Sequence, residues 1–384
     1  MKKLLIGLTS MAMLFTLASC KGGKDKKKNF DISIDVISAK DKVTSGSGHF
    51  SVTVQAINNN TGKPLDGLAE GHIEYSMYEN GYAISESKIL KTPAPRSVRN
   101  NILLLLDFSN SVVQDCEGIT RYFNGINHTV NNPHEFDENN LCTKLVKSTQ
   151  AFIDSIIVPG KTSMEIFYFN SRKEIFSLYG GKSDNIYALK SSVERLYDDS
   201  FRNTYLKGYE STNLFGGIVK AVEKRCYWID ICYTSGREVP ALSRDINPDV
   251  FEIGSLVVFT DGRELAKHVT QSELYATLNK FPELRRFTIG LGSDIDDGLL
   301  KSVGKDGFFK IDYTFELSTA FDGISSDLNA WANSFYKIDF CPTQVTGESD
   351  VTIKINDPTR QLYGEFRETV SLPQYSDFRC DLQY

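Results

Sequence analysis

The sequence lacks the motifs of the common enzyme classes. It contains no Gly-x-Ser-x-Gly, no glycine-rich phosphate-binding loop and no dinucleotide-binding fingerprint. It has no Cys-x-x-Cys, and its 5 histidines are scattered, so a zinc site has little support. These histidines are His49, His72, His128, His134 and His268. No histidine is placed to act as a base beside a serine, so we expect neither an enzyme nor a small-molecule substrate.

The chain also lacks an excess of positive charge. Its 43 Lys and Arg residues against 49 Asp and Glu residues give a net charge of −6 over 384 residues. Nucleic-acid-binding proteins carry a basic surface, so nucleic acid is not expected as a partner. The local exception is the lysine-rich segment 21–28. Its glycines favour a solvated tether, and attraction to anionic lipid headgroups is the alternative.

Beyond the first twenty residues no apolar run is long enough to span a bilayer, which takes roughly twenty residues. At the N-terminus two lysines precede the apolar stretch 4–17, which ends in Leu17-Ala18-Ser19-Cys20. This ending resembles a bacterial lipoprotein box. It implies a signal peptide over 1–19, a diacylglycerol on Cys20, a tether over 20–29 and a bilayer as the anchoring partner. Under the sorting rule of enteric bacteria Lys21 favours the outer membrane; a plain secretory signal or an uncleaved anchor is the alternative.

Six cysteines remain once Cys20 is set aside, and an even number suits disulfides in an oxidising envelope. Many pairings of six cysteines exist, so the connectivity stays open at this point. Pairing of sequence neighbours would join Cys116 with Cys142, Cys226 with Cys232, and Cys341 with Cys380.

Alternating apolar and polar residues predict β-strands near both ends of the chain. The alternation covers 30–36, 50–56, 73–77, 336–340 and 351–355, with a last strand near Thr369. Each β region is short for a core of its own. We therefore predict that residues 30–98 and 334–384 form one small antiparallel, Ig-like β-sandwich with residues 99–333 inserted into it. Two separate β appendages are the alternative.

Residues 99–333 alternate apolar strands with amphipathic helices, which predicts an α/β fold with a doubly wound, mostly parallel sheet. The predicted strands are 102–106, 164–169, 174–179, 255–259, 286–291 and 308–311. The predicted helices are 141–157, 188–196, 213–224, 271–280 and 317–331. Segment 293–298 looks like a calcium loop, but it lacks the glutamate that an EF-hand requires, and a helix start explains it better.

Oxygen-bearing side chains occur where elements of this sheet end. Asp107, Ser109 and Ser111 follow the first apolar strand, Thr212 precedes a helix, and Asp261 ends a second apolar strand. Open α/β sheets bind ligands at the carboxyl ends of their strands, so these side chains are expected at one edge. Carboxylate and hydroxyl oxygens suit a hard divalent cation. Asp-x-Ser-x-Ser alone would also suit a turn or a helix cap.

In this order the five residues resemble the metal-ion-dependent adhesion site of the von Willebrand factor A domain family, which includes integrin I domains. The resemblance covers roughly residues 100 to 333. It implies Mg²⁺, or Mn²⁺, bound by Asp107, Ser109, Ser111, Thr212 and Asp261, with one position open to a Glu or Asp of a protein partner. The implied function is adhesion or assembly of an envelope complex. The alternative is a scaffolding lipoprotein that is indifferent to metal and is recognised through its loops or sandwich.

Two segments depart from the family pattern. Segment 112–140 leaves directly from the predicted metal edge, so we expect it to wall the site, to select the partner, or to block the open metal position with an acidic side chain. Segment 226–252 carries aromatic residues that suit an interface. Loop padding and local core aromatics are the alternatives for both.

Overall fold

The computed structural model describes residues 30–44, 47–79, 82–83, 94–95, 97–123, 140–209, 211–225, 233–234, 237–238, 250–282, 284–340 and 347–372. The predicted signal peptide and tether lie outside these residues. The same holds for Cys20, Cys226, Cys232, Cys341 and Cys380. In the described ranges, no helix combines the length and the apolar character that crossing a membrane requires.

The strands, in chain order, are β1 (Ile32–Thr44), β2 (Ser47–Asn58), β3 (Lys63–Pro64), β4 (Ile73–Glu79), β5 (Tyr82–Ala83), β6 (Ala94–Pro95), β7 (Ser97–Asp107), β8 (Thr162–Phe169), β9 (Phe176–Ser177), β10 (Tyr233–Thr234), β11 (Arg237–Glu238), β12 (Val250–Thr260), β13 (Arg285–Leu291), β14 (Gly307–Ile311), β15 (Phe335–Phe340), β16 (Gly347–Asp357) and β17 (Leu362–Leu372). The helices are α1 (Asn110–Phe123), α2 (Leu141–Ile156), α3 (Ile186–Val193), α4 (Asp199–Phe201), α5 (Leu214–Arg225), α6 (Gln271–Leu278), α7 (Asp297–Val303) and α8 (Leu317–Ala332).

Six strands form the central sheet in the order β14-β13-β12-β7-β8-β9. The pairs from β14 through to β8 are parallel, and β9 runs antiparallel to β8. From β7 the chain moves outward to β8 and β9, and then returns to the other side of β7 for β12, β13 and β14. The winding therefore reverses between β7 and β12, which is the switch point where ligands bind in such sheets.

Helices cover both faces of this sheet. In β7, Leu104 and Leu106 face a cluster with residues of α1, α2, α3 and α8, whereas Leu103 and Leu105 face a cluster with residues of α5, α6 and α7. All four leucines are buried, as expected for a strand covered on both sides. The predicted α/β class with a mostly parallel sheet is confirmed, and antiparallel sheets are also present.

Strands from the two ends of the chain pair with each other. β2 lies between β1 and β15, and β16 lies between β4 and β17, all in antiparallel pairs. One apolar cluster joins these two sheets and includes Ile34, Val54, Ile353 and Ile355. The buried hydroxyl of Tyr336 donates to the carbonyl of Leu65 at 3.1 Å and accepts from the amide of Leu68 at 3.1 Å. These contacts pack the N-terminal and C-terminal strands together.

Asp357 closes the turn between β16 and β17. Its Oδ1 accepts from the amides of Thr359 and Arg360 at 3.1 Å each, and its Oδ2 accepts from the Arg360 guanidinium at 2.8 Å. Burial acts to raise the pKa of Asp357, but these hydrogen bonds outweigh it and hold the pKa below its ordinary value. The same guanidinium donates to the carbonyl of Asp66 at 3.1 Å, which joins the hairpin to the N-terminal region.

Three elements show how the structure compares with the sequence-based prediction in detail. Helix α1 occupies the first part of the segment 112–140 that we expect to be an insertion, because Val112, Val113 and Cys116 share one buried helical face. The predicted strand 174–179 is reduced to β9, in which the two residues are only half-buried. The expected helix start near residue 296 is confirmed, since the Asp296 carboxylate accepts from the Leu299 amide at 2.9 Å and caps α7.

Candidate metal centre

Strand β7 ends in a buried carboxylate at the switch point. Asp107 is 0% exposed. Its Oδ1 accepts from the Ser109 amide at 2.9 Å, and its Oδ2 accepts from the Thr260 hydroxyl at 2.6 Å. The amide of Phe108 donates to the carbonyl of Phe169 at 2.8 Å, so the turn is also attached to β8. The carboxylate is therefore fixed from three neighbouring strands.

The two serines follow within the same turn. Ser109 is buried, and Ser111 is exposed in the first turn of α1. Their hydroxyl oxygens lie 3.4 Å apart. The turn therefore presents two neutral oxygens beside the Asp107 carboxylate, with Ser111 on the solvent side.

Asp261 follows the end of β12, next to β7. Its Oδ1 is buried and has no hydrogen-bond partner in the described part of the chain. Burial raises the pKa of Asp261, a hydrogen bond with Ser111 acts against this, and the charges of Asp115 and Asp294 raise it further. Burial and then the charge of Asp261 raise the pKa of Asp107 to about 7. The buried Asp107 carboxylate and the half-buried Asp261 carboxylate thus share a site that disfavours their combined charge.

Thr212 reaches the same edge from the loop before α5. It is buried, and its carbonyl accepts from the amides of Leu265 and Ala266 at 3.0 and 3.2 Å. A Cβ placed on Gly262 would lie 3.1 Å from the Thr212 hydroxyl oxygen, so the residue after Asp261 packs directly against this threonine. All five predicted residues therefore meet where the loops after β7 and β12 and the loop before α5 converge.

Two further residues belong to the site and were absent from the sequence-based set. The Thr260 hydroxyl bonds Asp107 and also accepts from the Gly262 amide at 3.2 Å. Asp115 lies one helical turn after Ser111, and its carboxylate accepts from the Leu141 amide at 3.1 Å at the start of α2. Sequence signals for both exist, namely a hydroxyl inside an apolar strand end and an acid at helical spacing from Ser111.

A disulfide joins α1 to α2 beside this site. It links Cys116 to Cys142, the pair that sequence neighbours would form, and both cysteines are buried. Asn140 adds a hydrogen bond from its amide group to the carbonyl of Asp115 at 3.1 Å. The helix that carries Ser111 is therefore attached to α2 by a covalent bond and by hydrogen bonds.

The donor set fits a hard divalent cation. Asp107, Asp261, Ser109, Ser111 and Thr212 offer only oxygen atoms, as Mg²⁺ prefers. A dication would neutralise the two carboxylates and give the buried Asp261 Oδ1 the partner that it lacks among the described residues. Among the described residues no group of three or more His, Cys, Asp or Glu residues could hold a metal, so hydroxyls would have to complete any coordination here.

No protein-family model and no curated protein matches the chain. Among solved structures it is similar to proximal thread matrix protein 1 from the mussel byssus, determined with a zinc-occupied MIDAS motif, at 12% identity over 65% of this chain and 50% of that chain, with a TM-score of 0.39. The alignment thus spans half the length of the mussel protein.

Two bacterial structures are similar to the same degree. The von Willebrand factor type A protein from Catenulispora acidiphila shows 10% identity over 91% of this chain and 74% of that chain, with a TM-score of 0.40. The vWF domain of the type V pili tip protein Mfa5 from Porphyromonas gingivalis shows 11% identity over 61% of this chain and 96% of that chain, with a TM-score of 0.37. These are distant similarities, and the fold class rests on the strand order of the chain itself.

Proposed function

We propose that the chain is a von Willebrand factor A type binding protein of the cell envelope, rather than an enzyme, and that it captures a protein partner through a divalent cation. Asp107, Ser109, Ser111, Thr212 and Asp261 would hold Mg²⁺ or Mn²⁺. The observation that carries this proposal is the pair formed by the buried Asp107 and the half-buried Asp261, whose buried Oδ1 has no hydrogen-bond partner among the described residues. Burying two like charges together is costly unless a cation accompanies them.

The partner would supply a carboxylate. Mg²⁺ takes six oxygen ligands, and it usually keeps several waters when a protein holds it with one or two carboxylates. A Glu or Asp from outside can replace one such water, and the exposed Ser111 lies on the side from which it would approach. Adhesion or assembly of an envelope complex would use this contact.

The N-terminal sequence supports the proposed location in the cell envelope. Residues 1–19 would be removed as a signal peptide, Cys20 would carry the lipid, and 20–29 would form the tether, preferably at the outer membrane. Residues 30–98 and 334–384 would form a β-sandwich that carries the domain 99–333. Labelling with radioactive palmitate tests this part, because the wild type should incorporate label and Cys20→Ala should not.

Metal binding is tested directly by titration calorimetry with Mg²⁺ and Mn²⁺. The wild type should bind one ion, and Asp107→Ala and Asp261→Ala should not. Capture of envelope proteins is then compared with and without a chelator. The proposal would be contradicted if Asp107→Ala bound these ions with the affinity of the wild type. Capture of envelope proteins that survives both the chelator and the substitution would favour a scaffolding protein that is indifferent to metal.

A further inference from the structure

Arg172 presents an unusually fixed guanidinium just after β8. The group lies 3.5 Å from the ring centroid of Tyr209 and 5.0 Å from that of Phe176. Its Nε is buried without a hydrogen-bond partner, and Arg172 forms no ion pair with any described carboxylate. Stacking on aromatic rings holds the planar fork of N–H donors in place, which is the geometry that recognises a carboxylate in two contacts.

Hydrogen bonds connect this arginine to the candidate metal centre. The Arg172 amide donates to the side-chain oxygen of Asn170 at 3.1 Å, and its carbonyl accepts from the side chain of Asn213 at 2.7 Å. The Asn213 amide donates to the Asn170 carbonyl at 3.0 Å. Because Asn213 directly follows Thr212, Arg172 lies beside the loop that supplies one of the five site residues.

A second cation, Lys267, lies on the loop after Asp261, and this loop is attached to the Arg172 turn. The ring Nε2 of His268 donates to the Ser171 carbonyl at 2.9 Å, which attaches this loop to the Arg172 turn. The neighbouring Lys267 has a φ of 56°, is exposed, and forms no ion pair in the described ranges. The Glu264 carboxylate is occupied by backbone amides, including that of Lys267 at 2.6 Å.

Two other arginines of this domain, Arg263 and Arg195, are already engaged. Arg263 pairs with Asp294 at 2.6 Å. Arg195 stacks on Phe201 as Arg172 does on Tyr209, but its guanidinium donates to the Leu178 carbonyl at 2.8 Å. Aromatic stacking alone therefore does not leave a guanidinium without an acceptor, as the Arg172 guanidinium is among the described residues, and Arg195 is a matched control for Arg172.

We infer that Arg172 binds a second carboxylate of the protein partner, beside the carboxylate that reaches the cation. The inference rests on the proposed function and narrows the partner to a segment with two acidic residues at a fixed spacing. Lys267 adds favourable charge from the opposite loop. The Arg172 fork would contact the acid directly, with Tyr209 and Phe176 keeping it in place.

Selection of displayed random peptides on the full chain, in Mg²⁺ and with elution by EDTA, tests this. We expect the eluted peptides to carry two acidic residues at one spacing. One such peptide and its two single acid-to-amide forms are then titrated by fluorescence anisotropy. Loss of the second acid should weaken binding to the wild type about tenfold, the usual size for a hydrogen bond to a charged group.

Arg172→Gln should lose about the same factor and should no longer respond to removal of the second acid, which makes a double-mutant cycle. Arg172→Lys, which keeps the charge but not the fork, should bind at an intermediate level, and Arg195→Gln should bind as the wild type does. The inference would be overturned if the eluted peptides carried a single acid, or if Arg172→Gln and Arg195→Gln bound the peptide equally well. Either result would leave the proposed function standing. Recovery of no EDTA-sensitive peptide would overturn both.

Discussion

Asp107→Asn should stabilise the chain in the absence of divalent cations and remove its response to Mg²⁺. The substitution keeps the volume of the side chain and its hydrogen bonds. The asparagine oxygen can still accept from the Ser109 amide, and its amide group can donate to the Thr260 hydroxyl oxygen. The Thr260 hydroxyl can in turn donate to the Gly262 carbonyl, which lies 3.0 Å away. Only the buried charge is lost.

The expected size follows from the burial of that charge. A pKa raised from 3.8 to about 7 corresponds to roughly 4 kcal/mol against the charged form at neutral pH. Part of this is recovered by relaxation, so the variant should gain about 2 to 4 kcal/mol without metal. Mg²⁺ at a hundredfold excess over its Kd should add about 2.7 kcal/mol to the wild type. For a domain of this size that is a Tm increase of about 5 to 10 °C.

Scanning calorimetry at neutral pH, in EDTA and then in Mg²⁺, measures both effects. Asp154→Asn serves as the control, because that carboxylate is 51% exposed and pairs with Lys190 at 2.6 Å. An exposed pair contributes less than about 1 kcal/mol, so the control should melt near the wild type and keep its Mg²⁺ response. The reasoning is refuted if Asp107→Asn melts below the wild type in EDTA, or if its Tm still rises with Mg²⁺.

Three further variants probe the disulfide beside the site and the packing of the terminal strands. Replacing Cys116 and Cys142 with alanine should cost about 3 kcal/mol in urea unfolding, because the bond spans a sequence separation of 26, and an unchanged midpoint would contradict this. Asp357→Ala should cost about 1 to 3 kcal/mol at neutral pH. Folding lowers the pKa of Asp357, so the difference in unfolding free energy between this variant and the wild type should disappear as the pH falls through that pKa. A difference that grows in acid would contradict this reasoning. Gly364→Ala should cost about 1 to 3 kcal/mol in thermal unfolding, because its Cβ would lie 2.5 Å from a backbone oxygen of β1. Gly71→Ala, with no atom within 4 Å of the added Cβ, is its control.

The five candidate site residues could be predicted because each marks an abrupt local change in the sequence. The buried run Leu103–Leu106 ends in a carboxylate, and the run Leu256–Phe259 is followed two residues later by another. A strand that is apolar on both faces is typical of the centre of a parallel sheet, and the carboxyl ends of such strands lie at the edge where ligands bind. Local patterns of this kind need no knowledge of strand register.

Sequence signals exist for Thr260 and Asp115, but they do not show that these residues reach the site, because their placement depends on tertiary packing. Phe259 pairs with Leu106 in the β12–β7 ladder, and this places the next residues, Thr260 and Asp107, side by side. A shift of one residue would turn the Thr260 hydroxyl to the other face of the sheet. Stacking of Arg172 on Tyr209 likewise joins two loops that are distant in the sequence. Each of these contacts is set by tertiary packing.

Charge balance connects the candidate centre with the cations beside it. A dication bound between Asp107 and Asp261 would leave the centre close to neutral, so a first carboxylate from the partner would bring one uncompensated negative charge. A second acid nearby would be repelled by the first unless fixed positive charge faced it. Arg172 and Lys267 carry such charge on the two loops that His268 joins. Because the guanidinium is already held against Tyr209, little further ordering would be required on binding, which favours a specific acidic segment over a diffuse anionic surface.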